Sequence, residues 1–189
     1  MKNSMKYLGL ALAGTLAISC GDDDDVLPMI INEEEVITTV EIEMINVRDN
    51  NNVVMLRSND PDGEGPLPPV QTQTGDLRVS ENYDSTVKFY NELESPRENI
   101  TKEIEMEDLD HEVFYFLGST LSTAAIQRLD FDSQGNPLGL EFDLETTLSP
   151  ATGTMTVVLR HEPTKPNDGT LADAGGDTDV EVIFDLTFN

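Results

Sequence analysis

The sequence predicts an all-β fold, a single antiparallel β-sandwich of immunoglobulin-like build, on three observations. Apolar and polar residues alternate with a period of two in many stretches. Those stretches recur about every 10–15 residues, as strands of a sandwich do. Gly, Pro, Asn and Asp fill the gaps between them, the residues that turns select. One face of each such strand meets a core and the other meets water, which is what a period of two means physically.

In chain order, strands are expected over 36–47, 53–58, 84–92, 112–118, 123–132, 138–145, 153–162 and 179–188. In "LGLEFDLET", Leu138, Leu140, Phe142 and Leu144 oppose Glu141, Asp143 and Glu145. In "DVEVIFDLTF", Val180, Val182, Phe184, Leu186 and Phe188 form one face, with Asp179, Glu181, Asp185 and Thr187 on the other. Phe142 and Phe184 are expected to enter the core from adjoining strands. "VFYFL" (113–117) is apolar on both faces, which suits a central strand. "STLSTAAIQRL" reads as strand before helix, and "ITKEIEMEDL" fits either.

Before this domain the pattern changes. Lys2 and Lys6 precede the twelve-residue apolar run "LGLALAGTLAIS", too short to span a bilayer and shaped like a secretory signal. Cys20, the only cysteine, follows directly. The tail "LAISC" resembles a bacterial lipoprotein signal, which implies that Cys20 carries a lipid anchor, and a leftover thiol in an exported chain is otherwise hard to explain. Gly21 and the run Asp22 to Asp25 open an acidic segment of mutually repelling carboxylates. The expected organisation is a lipoprotein signal peptide at 1–19, an acidic linker at 20–34 beginning with the lipidated Cys20, and the sandwich at 35–189.

The chain has 37 Asp and Glu against 11 Lys and Arg, a net charge of −26. Such a surface repels polyphosphates and gathers cations, so nucleic acid is excluded as a partner. Two histidines and one cysteine exclude a zinc ribbon, a disulfide scaffold and a four-cysteine cluster. No Gly-x-Ser-x-Gly elbow is present. Acidic pairs are too common in this chain to mark a glycosidase. A non-enzymatic protein is expected.

The stretches "NEEEVITTV" (32–40), "DHEVFYF" (110–116), "DFDSQGNPLGL" (130–140), "LRHEP" (159–163) and "GGDTDVEVIFD" (175–185) resemble a family of small Bacteroidota outer-membrane lipoproteins. Some members carry a type 1 periplasmic-binding label. That label implies two α/β lobes, and no alternating strand–helix pattern exists here. The resemblance implies a β-sandwich lipoprotein encoded beside TonB-dependent receptors. It also implies that Asp22–Asp25 direct the protein to the cell surface, where the lipid anchor attaches it to the outer membrane. A receptor of that type is the partner implied. The function expected is accessory ligand or metal binding for TonB-dependent uptake. The competing expectation is a structural or adhesive module with loop-stabilising calcium.

The candidate chemistry lies at the base of the last hairpin. Antiparallel pairing there should bring His161 and Glu162 to Asp177 and Asp179, with His111 joining if its strand is a neighbour. Imidazole with carboxylates suits a divalent ion such as zinc or manganese rather than haem. Such binding should weaken below about pH 6 as the imidazole protonates. Alternatively His161 closes the core edge through a hydrogen bond while Arg160 neutralises acids. Two calcium-like loops are also present: Asp130 and Asp132 in "DFDSQGNPLGLE", and Asp60 and Asp62 in "NDPDGEG". Gly135 and the Asn and Asp around it also suit a plain turn. Asp84-Ser85-Thr86 resembles an O-glycosylation motif of Bacteroidota exported proteins.

Overall fold

A computed structural model describes residues 35–63 and 65–189. The expected signal peptide at 1–19, the expected lipidation site Cys20 and the expected acidic linker at 20–34 lie outside the described residues, as does Glu64. The described strands form two antiparallel sheets, as the alternation requires. They are β1 (Thr39–Asn46), β2 (Val53–Asn59), β3 (Val70–Thr74), β4 (Asn82–Asn91), β5 (Glu98–Asn99), β6 (His111–Leu117), β7 (Ala125–Arg128), β8 (Glu141–Glu145), β9 (Ala151–His161) and β10 (Asp177–Phe188). The larger sheet runs β3-β2-β1-β4-β8-β7, with β5 also paired to β4. The smaller runs β10-β9-β6. Two short helices, α1 (Thr101–Met106) and α2 (Leu171–Ala174), sit in the connections.

The core lies between the sheets. Ile42, Met44, Leu56, Phe89, Phe142 and Leu144 enter from the larger sheet, and Met155, Val157, Leu159, Phe184 and Leu186 from the smaller. Each fully buried side chain of this kind contributes roughly 1.5–3 kcal/mol. Phe142 and Phe184 are both buried as the alternation predicts, but from opposite sheets rather than adjoining strands.

The apolar run at 113–117 corrects a second expectation. β6 is an edge strand, and β9 is the central one. Val113 faces the main core. Phe114 packs on the other face with Val158, Ala174 and Leu171, so the long connection 162–176 covers it. The second apolar face is thus explained by a folded loop, not by another strand. Lys165 fastens this loop: its Nζ, on a nearly buried side chain, donates to the carbonyls of Asp108 and His111 and reaches Asp132. Ser85, in the O-glycosylation-like triplet, is buried in β4 between β1 and β8.

Candidate metal centre

β6 begins and β9 ends with histidine. The two are direct register partners, His111 opposite His161. Register places both rings at one end of the smaller sheet on the core side. There they stack with centroids 4.8 Å apart and planes 26° from parallel. Gly176 permits this crowded end. Its φ is +69°, and a Cβ there would stand 2.2 Å from the His161 carbonyl oxygen, so no other residue fits without moving β9.

Asp179 joins through an irregularity. Thr178 pairs with the outward-facing Arg160 and Val180 with the inward-facing Leu159, leaving Asp179 as the extra residue of a β-bulge. A bulge re-aims one side chain relative to strict alternation. Asp179, expected on the solvent face, instead has a side chain that is 0% exposed. Its Oδ2 lies 3.9 Å from His111 Nε2 and its Oδ1 3.6 Å from His161 Nδ1. The fourth member is Glu35, four residues before β1. Its Oε1 lies 3.0 Å from His111 Nε2 and its Oε2 3.8 Å from His161 Nδ1. Its side chain is 6% exposed, that of His161 7%, and that of His111 0%. One nitrogen or oxygen from each of the four residues falls within a 4.8 Å span.

These atoms need a cation among them. Two carboxylates removed from water carry a desolvation cost that only a positive partner offsets. Glu35 Oε2 and His111 Nε2 are buried with no aligned hydrogen-bond partner. Burial pulls the His111 imidazolium down, but Glu35, the Glu107 carbonyl and Asp179 outweigh it and hold the group above its ordinary value. Burial pushes the Glu35 carboxyl up, and His111 and His161 outweigh that to hold it below the usual range. In both groups the balance favours the charged pair.

The ring orientation suits a metal equally well. His111 Nδ1 lies 3.2 Å from the carbonyl oxygen of Glu107, just past the end of α1. A carbonyl only accepts, so Nδ1 carries a proton in either charge state, and when the ring is neutral Nε2 offers its lone pair to the cluster. That is the outer-shell arrangement that orients metal-binding histidines. A tetrahedral site with bonds of about 2.0–2.2 Å has ligand–ligand edges of roughly 3.3–3.6 Å. The nitrogen–oxygen separations of 3.0 to 3.9 Å, taken to either oxygen of each carboxylate, lie around that range, and one donor atom from each residue falls within 4.8 Å, so the side chains need close only slightly to surround an ion. Two neutral imidazoles and two carboxylates carry −2, matching a divalent ion.

The structure thus gathers His111, His161 and Asp179 and leaves out Glu162 and Asp177. Glu162 is exposed at the end of β9, where φ is +49° and its amide donates to the Asp110 carbonyl. Asp177 faces His161 in register but is exposed. Arg160 donates to the Gly176 carbonyl and Thr178 Oγ1, not to an acid. Glu35 escaped the sequence reading because it closes the run "NEEE", and a charge run reads as solvated.

In the calcium-like loop at 130–141 the carboxylate oxygens are occupied by their own chain. Asp130 Oδ1 accepts from the amides of Gly139 and Glu141, and Oδ2 from that of Leu140. Asp132 Oδ1 accepts from the amides of Gln134 and Asn136, and Oδ2 from Asn136 Nδ2 and Lys165 Nζ. Both aspartates therefore staple a turn. Asp60 Oδ1 accepts from the amide of Asp62, whose Oδ2 accepts from that of Leu67. Among the described residues, Glu35, His111, His161 and Asp179 are the one group of this kind with a metal-sized spread. No protein-family model, curated protein or solved structure matches the chain, so the site rests on its own geometry.

Proposed function

We propose that the chain is a surface-exposed outer-membrane lipoprotein whose sandwich binds one divalent transition-metal ion, without catalysis, as an accessory to TonB-dependent uptake. The observation that carries the metal-binding part is the buried set of two imidazoles and two carboxylates at Glu35, His111, His161 and Asp179. Nitrogen with carboxylate oxygen favours zinc or manganese, while calcium prefers six to eight oxygens. Four protein ligands complete a tetrahedron and leave no open position for a substrate, which supports a non-enzymatic role. The anchor is supported by Cys20 after its short apolar run, and the uptake partner by the family resemblance alone.

Deep burial of all four side chains favours a second reading, a structural module in which the resident ion stiffens the fold. Both readings require binding, which calorimetry on the mature protein with zinc, manganese and calcium tests. One zinc per chain is expected, with loss of at least about tenfold in affinity in Asp179→Asn. Heat indistinguishable from calcium and unchanged by the substitution would refute the site. Rapid surrender of zinc to a chelator supports delivery, and retention supports stiffening. Cys20→Ala should release the protein from membranes, and unchanged fractionation would defeat the lipoprotein reading.

A further inference from the structure

Three of the four ligands sit on the smaller sheet, one on each strand: His111 on β6, His161 on β9 and Asp179 on β10. The fourth does not. Glu35 lies on the chain just before β1, which runs in the middle of the larger sheet. Beyond Glu35, the backbone hydrogen bonds of this stretch lead to the larger sheet: the Thr38 amide donates to the Tyr90 carbonyl, and the Thr38 carbonyl accepts from the Asp60 amide. Val36 between them is 54% exposed. The buried carboxylate of Glu35 is therefore the lone point at which the site reaches the segment leading into β1.

We infer that the metal ion acts as a clasp, fastening the chain that enters β1 to all three strands of the smaller sheet. This rests on the metal-binding reading above and adds what binding does. Positions 35, 111, 161 and 179 are far apart in sequence, so one ion closes several long loops together. Cross-links that close long loops remove the most freedom from the opened chain. Metal loading would then decide whether residues 35–38 are held beside the smaller sheet or are free up to the first residue of β1.

Hydrogen exchange on the full mature protein, with and without zinc, tests this by peptide. Zinc at one hundred times its Kd should slow exchange up to about 100-fold for openings that release the ion. The slowing is expected both at 35–38 and around residues 111, 161 and 179. In Glu35→Gln, weaker zinc binding should still protect the three strand ends and no longer protect 35–38. If wild-type zinc protects the strand ends but leaves 35–38 unchanged, the clasp is wrong and the metal site stands. If Glu35→Gln keeps full protection at 35–38, the clasp is also wrong. Absence of zinc binding by wild type overturns both.

Discussion

Two acidic regions of this domain looked alike in sequence and differ completely in structure. The loop around Asp130 and Asp132 carries aspartates at calcium-like spacing, and the strand ends at His161 and Asp179 carry them beside histidine. In the loop, backbone amides and Lys165 fill the carboxylate oxygens. At the strand ends, the carboxylates of Glu35 and Asp179 face two imidazoles across 3.0 to 3.9 Å. The number of acids is similar. What differs is the partner: backbone amides face the loop carboxylates and make them a turn staple, whereas two imidazole rings face Glu35 and Asp179 and make them a candidate cation site.

The largest effect should come from breaking the staple. Asp132 is a buried partner of Lys165, and removing one member of such a pair leaves an uncompensated charge. Asp132→Ala should cost about 3–5 kcal/mol in denaturant unfolding, while the folded fraction keeps its zinc affinity within about tenfold. Burial pushes the Asp132 carboxyl up, but Asn136, Lys165 and Gln134 outweigh it and the group is lowered. Its contribution is therefore full above the ordinary carboxylate value and disappears as pH falls through the lowered one. Wild type should lose stability in that acid window, and Asp132→Ala should lose less across it, because the other lowered carboxyls, Glu35 among them, remain. An equally acid-sensitive variant would mean that other carboxylates govern the loop.

Zinc should sharpen the contrast from the other side. At one hundred times its Kd, a ligand bound only by the native state adds about 2.7 kcal/mol. Thermal unfolding of wild type should move up accordingly, that of Asp179→Asn much less, and calcium should move neither. Protons compete with metal for imidazole, so the gain shrinks on acidification. Because His111 is held above its ordinary value, the shrinkage should begin at a higher pH than a free imidazole would give. A gain from calcium that disappears in Asp130→Asn would reverse the comparison.

How much of this was legible follows from particular residues. Alternation identified β8, β9 and β10 because their inner faces are continuously apolar. It missed β3, whose Val70–Thr74 is exposed at every position and is held by backbone pairing to β2. It also misassigned Asp179, since period-two reasoning assumes unbroken register and a single bulge between Thr178 and Val180 inverts the face. The pairing of His111 with His161 needed the order of β6, β9 and β10, which alternation cannot supply. Glu35 carried no local signal, because nothing separates it from Glu33 and Glu34 except where the chain goes next.

The smallest effects should come from the acids that sequence placed at the site and the fold kept out. Glu162 and Asp177 are near the cluster along the chain yet exposed to water. A charge in water acts through a high effective dielectric, worth about 1 kcal/mol at 4 Å and less farther out. Exposed substitutions away from special features usually change stability by no more than about 0.5 kcal/mol. Glu162→Gln and Asp177→Asn should therefore unfold like wild type and lose less than about fivefold in zinc affinity, mostly as a long-range term that added salt screens. His161→Ala, their close neighbour, should lose far more and be insensitive to salt. Calorimetry of the three variants at low and high salt separates the two behaviours. Salt-independent loss in Asp177→Asn comparable to that in His161→Ala would place Asp177 among the ligands and show that the bulge at Asp179 does not select which aspartate faces the ion.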